Sequence, residues 1–552
     1  MTALLAILSG ALTALALPQA IPWISLAPID PAGHLEWLAW IGLVPGLLAL
    51  DRARTWRAAL GLGLLAGLAY FYAAIWWVNH AMTAFGGVPF GLAFVGLSFL
   101  VLHGAVHWAA AFAAGWAIRR RLGWPWWAHL PAVWVAAELS RNYLLTGFPW
   151  GNLGYLQARH LLVAQLASVT GVYGIAALVV LVNCVVHAFL RAALDRRPAP
   201  WPLAGATAAV VAAVLAYGAS HLRAVRARAA AAPTLRVALV QGNVNQAVKN
   251  QGRRYGEQIL ERYVSLTVEA DRRGADLVAW PEAAYPYLVP AGLASFAAVP
   301  SGIPPLRHAW LLVGAPAVGE RRDGRDETGA NSVFLLRPDL SVAGRYAKHH
   351  LVPFGEYVPL PWLLGRVLRS IVPVMVQQQP GSALRILAVD PGPDGSPPVR
   401  LAPMICFDAL FPEVNVAFAE GDPDLLLNPT NDAWYGYSSG PHQFLSIVAM
   451  RAIEAGKAVA RPAYAGITAI IDPTGEVRPG ALPIGPVDPE LAPDPDEPPR
   501  LLMGDVPRLR GRTLYTTVGD LFAGGATAYA ALVLAAALRR RRGRHPREGA
   551  DR

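Results

Sequence analysis

Three short segments of this 552-residue chain hold side chains able to do covalent chemistry. Glu282 lies in WPEAAYP (280–286), Lys348 in GRYAKHHLVPFGEYVP (344–359) and Cys406 in PMICFDALFPE (403–413). A cysteine attacks a carbonyl as the thiolate, so it needs a base or a cation beside it. A carboxylate such as Glu282 takes the thiol proton and later the proton of an incoming nucleophile. The tetrahedral intermediate carries negative charge on oxygen. A fixed ammonium such as Lys348, helped by backbone N–H groups after the cysteine, meets that charge. Spacing alone leaves open whether the three meet, and a lone cysteine is more often a small buried apolar residue than a nucleophile.

The elements that must position them begin at Thr234, where short β-rich runs start to alternate with amphipathic stretches. LRVALVQ (235–241), DLVAW (276–280), WLLVGA (310–315), NSVFLL (331–336), RLAPMIC (400–406), DLLLNP (424–429) and ITAIID (467–472) read as strands. Residues 252–273 read as a helix with Ile259, Tyr263, Leu266 and Ala270 on one face, and 411–420 and 441–456 as two more. Such alternation implies an α/β layer architecture. Glu282 and Cys406 then stand at strand ends and Lys348 in a loop after a strand. Residues 482–500, rich in proline and acid, read as a linker or surface loop.

The first half is different. The chain is 54% hydrophobic and only 15% charged, well below a typical soluble domain. Runs at 58–78, 89–118, 161–190 and 198–220 are long enough to span a bilayer, with weaker candidates at 2–17, 35–50, 124–145 and 517–538. That reading gives a membrane domain of seven helices over 1–221, a polar domain over 234–500, an eighth helix over 513–538 and a basic tail over 539–552. The net charge of +10 does not indicate nucleic acid, because the arginines flank apolar runs. Arg52, Arg54 and Arg57, then Arg119 to Arg121, then Arg191, Arg196 and Arg197, then the arginine tail mark every second connection. Loops 18–34 and 79–88 have no Lys or Arg. The positive-inside rule puts both termini in the cytoplasm and residues 222–512 outside it. No basic residue precedes the first apolar stretch, so it reads as a retained helix rather than a cleaved signal. The two cysteines, Cys184 and Cys406, fall in different halves, which argues against a disulfide.

Three features carry alternative readings. Glu138 and Arg141, near the outer end of the fifth expected helix, are substrate-contact candidates by their depth or a structural ion pair. His103 and His107 offer half of a metal site with no third ligand in view, or a packed helix face. In VPLPWLLGRVLRSIVPVMV (358–376) apolar residues repeat at helical spacing while Arg366 and Arg369 share another face. It reads as an arm lying in the bilayer interface whose arginines approach a lipid phosphate, or as a core helix with snorkelling arginines.

The Glu, Lys and Cys segments resemble the nitrilase superfamily. The chain as a whole resembles the apolipoprotein N-acyltransferase family of bacteria, through WWVNHAM (76–82), TGFPWGNLGY (146–155), KHHLVPFGEYVP, ICFD, NPTNDAWYG, GPHQF and MRAIE. The resemblance implies a multi-pass helical bundle joined to an αββα sandwich, in the bacterial inner membrane with the catalytic domain on the periplasmic side. It implies Glu282 as general base, Lys348 as oxyanion stabiliser, Cys406 as nucleophile and Glu356 as a second acid orienting the site. Trp434 and Tyr435 in NPTNDAWYG become candidate substrate contacts, Trp434 being either pocket lining or core. Asp408 stands where the family usually has Glu, Phe407 where Tyr is common and Asn250 where Trp is often found, while Tyr464-Ala465-Gly466 replaces an Asn-rich stretch.

The implied reaction has two steps and needs no metal or cofactor. Cys406 takes an acyl chain from a membrane phospholipid, and the α-amino group of an S-diacylglyceryl-cysteine on an apolipoprotein receives it. The chain is expected to act as a monomer. One rival is a membrane-anchored nitrilase-type amidase that passes the acyl group to water. A second is a transporter, which would carry ionisable residues along its bundle rather than at helix ends.

Overall fold

A computed structural model describes residues 1–18, 35–244, 246–249, 252–319, 329–358, 378–390, 397–484 and 499–540. Arg366 and Arg369 with nearly all of their arm, Asn250 and the tail beyond Arg540 lie outside the described residues.

Among the described residues, five helices are long and apolar enough to cross a membrane: Trp56–Ile75, Phe90–Leu122, Val172–Leu194, Trp201–Ala231 and Leu521–Arg539. Thr2–Leu15 is a shorter apolar helix, and Val44–Asp51 and Leu130–Tyr143 are two more short helices, the latter carrying Glu138 and Arg141. Two expected runs are interrupted. In 35–50 a 3₁₀ turn at Glu36–Trp40 precedes the helix, which restarts with Pro45 in its first turn, where a missing N–H costs nothing. The 161–190 run is split by Gly171 at φ +62° before Val172. A Cβ there would lie 2.6 Å from the Tyr515 ring, so the break is fixed by packing as well as conformation. Gly63 and Gly67 let two membrane helices touch closely, since a Cβ on either would meet an Ala109 or Ala105 backbone atom at 2.7 Å. The arginine flanks also do structural work. Asp51 accepts from Trp126 (3.1 Å), contacts His187 (2.7 Å) and pairs with Arg119 and Arg191 (both 3.4 Å), tying four segments at one end of the bundle.

Helix Trp201–Ala231 runs almost directly into strand β1 (Thr234–Gln241). The polar half contains two sheets. The first has the order β12-β1-β2-β4-β5-β6, with β3 beside β4. Its strands are β2 (Leu277–Ala279), β3 (Val289–Pro290), β4 (Trp310–Val318), β5 (Gly329–Leu336), β6 (Val342–Ala347) and β12 (Arg500–Pro507). The second has the order β11-β10-β9-β8-β7, with β7 (Leu387–Val389), β8 (Val399–Pro403), β9 (Leu425–Leu427), β10 (Val459–Arg461) and β11 (Ala469–Ile471).

Strand alternation explains the layers. Leu235, Val237 and Leu239 of β1 share a buried cluster with Leu401, Leu425, Leu427 and Ile471 of the other sheet. Ala238 and Val240 point the other way, into a cluster with Ile259, Tyr263 and Ala270 of helix Gly252–Arg272. Helices Pro412–Glu420 and Gly440–Ala455 contribute Val414, Phe418, Phe444 and Ile447 to the first cluster. The central strands β1, β2 and β4, and β8 to β10, are parallel, as expected for strands buried on both faces. Strand β12, pairing antiparallel with β1, continues the sheet past residue 500.

Candidate active site

Each reactive side chain is placed by a strand end. Glu282 follows β2 by three residues, and Ala283 behind it turns at φ +47°. Lys348 immediately follows β6, and its N–H bonds to Asn331 O at 2.8 Å. Cys406 follows β8 and opens a 3₁₀ turn, Cys406–Leu410, at φ +45°. A non-glycine residue in that region is strained, which raises the side chain at the top of a strand-to-helix elbow. The Cys406 N–H is taken by Pro429 O at 2.9 Å.

The fold brings Glu282, Lys348, Glu356 and Cys406 together. Lys348 Nζ donates to Glu282 Oε1 at 2.9 Å and lies 3.0 and 2.9 Å from the two oxygens of Glu356. Asn331 Nδ2 bridges the same two carboxylates at 2.6 and 3.1 Å. The other Glu282 oxygen accepts the Asn431 N–H at 3.0 Å, and the Cys406 thiol is a further hydrogen-bond partner of this carboxylate. Burial pushes the Glu282 carboxyl up, but the charges of Lys348 and Lys249 outweigh it and hold the group below the usual carboxylate range. Burial pulls the Lys348 ammonium down, and Glu282 and Glu356 more than restore it, well above the ordinary lysine value. Burial, then the Glu282 charge, push the Cys406 thiol up. These directions set a carboxylate beside a neutral thiol.

Asp408 is fully buried and its carboxylate joins the elbow to the lysine loop, as Ile405, His349 and His350 N–H groups and the Tyr346 hydroxyl all donate to it. Phe407 is buried against Phe411, whose ring stacks on His350 with centroids 3.8 Å apart. Trp434 and Tyr435 sit on a 3₁₀ turn facing the membrane half. Their rings lie 6.2 Å from Phe85 and 4.5 Å from Trp77 respectively. Phe85 ends a π-helical turn, Ala81–Phe85, a local irregularity often found at functional sites. Glu138 and Arg141 are buried in the membrane half, where Glu138 accepts from Trp134 (3.0 Å) and Leu153 N–H (2.7 Å), and Arg141 donates to Asn152. His103 and His107 pack ring to ring, 5.1 Å apart.

Sequence reasoning did not single out Asn331, Asn431 or Lys249 for the site. Asn331 opens the strand NSVFLL and Asn431 belongs to NPTNDAWYG, so a polar residue at a strand start beside a site loop was the available signal. Lys249 gave none. Its ammonium lies 3.4 Å from Glu282 O and 4.1 Å above the Tyr464 ring. With the Asn431 amide turned to satisfy its neighbours, its oxygen accepts from Lys249 Nζ (2.9 Å) and Trp434 Nε1 (3.2 Å).

Residues 236–483 match the carbon-nitrogen hydrolase family, and residues 9–185 match the apolipoprotein N-acyltransferase N-terminal domain. A relative named apolipoprotein N-acyltransferase from Geobacter metallireducens is 35% identical over 98% of this chain and 95% of its own length. This chain belongs to the apolipoprotein N-acyltransferase family. Relatives of the same name in Caulobacter vibrioides and Rhodopseudomonas palustris are 32% and 30% identical, covering 83% and 86% of this chain and 87% and 86% of theirs. Membership makes the chain an acyltransferase with a nitrilase-like fold in its C-terminal part, joined to apolar helices that suit a membrane domain. The transporter reading is thereby set aside.

Proposed function

We propose that this chain moves a fatty acyl chain from a membrane phospholipid to the α-amino group of the N-terminal S-diacylglyceryl-cysteine of apolipoproteins, through a thioester on Cys406. The observation that carries this reading is the sharing of Lys348 between Glu282 and Glu356 beside the Cys406 elbow. In the first step Glu282 takes the thiol proton as sulfur attacks the ester carbonyl. The C–O bond then breaks, and the proton passes to the departing glyceryl oxygen, which leaves as a lysophospholipid. In the second step the acceptor amine attacks the thioester and loses a proton to Glu282, the C–S bond breaks, and Glu282 passes that proton to sulfur. Lys348 meets the oxyanion in both steps as a fixed cation beside the Cys406 elbow.

The membrane arrangement follows the charge pattern. Eight spans, with both termini in the cytoplasm and the catalytic domain on the periplasmic side of the inner membrane, agree with the alternation of arginine-rich connections. Both substrates then share one leaflet with the site, which raises their effective concentration. The working unit is taken as a monomer. Trp434 and Tyr435, at the boundary with the membrane half, are proposed to line the route of the acyl chain.

Intact-mass analysis of purified enzyme incubated with phospholipid tests the reading. A fatty-acyl increment on the wild type, absent from Cys406→Ala and discharged by a diacylglyceryl lipopeptide, is the expected result. An increment that disappears only by hydrolysis would favour an amidase instead, and an increment on Cys406→Ala would remove the nucleophile.

A further inference from the structure

The two half-reactions differ in their proton balance. Ester plus thiol gives thioester plus alcohol, with no net proton. Thioester plus an ammonium gives amide plus thiol plus one free proton. An α-amino group is largely protonated near neutral pH, so it must lose one proton before attack and another after it. Glu282 returns one of these to the cysteine sulfur. The other needs a second acceptor, and a water-poor site has to supply it.

Lys249 is placed for that task. It sits on a short helix, Gln246–Lys249, that follows β1, and reaches the loop holding the second oxygen of Glu282. Its ammonium is met by neutral groups: the Glu282 carbonyl, the Asn431 amide and the face of Tyr464. Among the described residues no carboxylate comes within ion-pair distance of it, whereas Lys348 is held between two. One lysine is thus locked in its charged form and the other is not.

We propose that Lys249 accepts the surplus proton of the acceptor's α-ammonium in the second half-reaction, and that it takes up no proton in forming the thioester. The proposal rests on the two-step reading above. Its balance is R–NH3⁺ plus the neutral Lys249 amine giving R–NH2 plus the Lys249 ammonium, which returns its proton to solvent between turnovers. Burial lowers Lys249 to about 8, so a neutral fraction is present under ordinary conditions.

The test separates the half-reactions in Lys249→Met and Lys249→Arg. Thioester formation from phospholipid is followed by intact mass and lysophospholipid release, and discharge by two acceptors, a diacylglyceryl lipopeptide and hydroxylamine. Hydroxylamine is already neutral at neutral pH and brings no surplus proton. Lys249→Arg, which keeps the positive charge beside Glu282, should form thioester and react with hydroxylamine at close to the wild-type rates, whereas Lys249→Met loses that charge and is read only as its ratio of lipopeptide to hydroxylamine discharge. In both variants that ratio should fall about 100-fold, the scale of a lost general base. Arginine keeps the charge and the hydrogen bonds but cannot give up its proton at such pH, so rescue by Lys249→Arg would overturn the proposal in favour of a structural role. Equal slowing with hydroxylamine would overturn it too. A wild-type enzyme that forms no thioester at all would instead sink the two-step reading.

Discussion

The Asp408 carboxylate accepts the His350 N–H at 2.7 Å, and with it the His349 N–H at 3.1 Å, so the loop carrying Lys348 hangs from a residue two positions past the cysteine. Its other oxygen takes the Tyr346 hydroxyl (2.8 Å) and the Ile405 N–H (3.1 Å). One side chain therefore sets the distance between elbow and lysine. Burial raises the Asp408 carboxyl to about 6. The sign follows directly: below about pH 6 the group is neutral and gives up part of its accepting capacity, and above it the full set of bonds forms. Thioester formation should show an acid limb near pH 6. Asp408→Asn, which presents an NH2 to the Ile405 N–H or the Tyr346 hydroxyl, should be slower by roughly tenfold to a hundredfold and lack that limb. A stopped-flow or quench pH profile of lysophospholipid release checks both points. An unchanged limb in the variant would assign it to another group.

Asn331 gives a second expectation. Its amide N–H groups join Glu282 to Glu356, two like charges that Lys348 alone would otherwise hold together. Asn331→Ala removes a hydrogen bond to a charged group, about 2 kcal/mol, or roughly thirtyfold in kcat/KM. Asn331→Asp should do more harm, because it adds a third carboxylate to a buried cluster. Comparing kcat/KM of the two variants with retained thermal stability separates this from misfolding. Equal losses would argue against the charge argument.

How much of this is legible in the chain follows from where each group sits. Glu282 and Cys406 stand just past apolar strands that read as strands in the sequence, whereas Lys348 follows β6, whose VAGRYA run is mostly half-buried and does not read as one. Asn331, Asn431 and Lys249 come together only through the packing of two sheets and the loop after β1, which no local pattern encodes. β12 is hidden because Gly504, Asp505 and Pro507 interrupt its apolar run, and its partner is the first strand of the domain. The break at Gly171 is hidden for the opposite reason: apolar residues continue on both sides, and only the Tyr515 ring shows why the helix stops.

Arg451 and Glu454 supply a stability prediction. Both are fully buried, paired at 3.1 Å, and they fasten the catalytic domain to the membrane half. Arg451 donates to the Tyr155 hydroxyl (3.1 Å), and Glu454 accepts the N–H of Val172, the residue that restarts the helix after Gly171. Arg451→Met leaves a buried acid without its cation and should cost about 3–5 kcal/mol. Glu454→Met should cost a similar amount. The double variant should be less destabilised than the sum of the two, since neither charge is then stranded. Thermal unfolding in detergent measures the cycle, and strict additivity would mean the pair does not act as a unit.

Glu138 and Arg141 admit two readings in sequence, and their partners suggest which one experiment should favour. Glu138 holds the Leu153 N–H, Arg141 O takes the Phe148 N–H at 3.0 Å, and the Arg141 guanidinium reaches Asn152. The pair thus pins both ends of the loop 148–153. Trp150 in that loop donates to Gln443 at 2.6 Å and lies 4.8 Å from Trp77, which in turn meets Tyr435. The expectation is that such a loop acts on the site through the Trp150, Trp77 and Tyr435 rings rather than by contact with either substrate. Glu138→Gln keeps the shape but weakens the acceptor for the Trp134 and Leu153 N–H groups. It should lower the melting temperature and slow thioester formation and transfer by the same factor, on the order of tenfold for one weakened charged hydrogen bond. Phospholipid and lipopeptide KM should stay at their wild-type ratio. A direct contact with either substrate predicts the reverse, a rise in one KM alone at unchanged stability, and finding that pattern would make Glu138 a substrate contact after all.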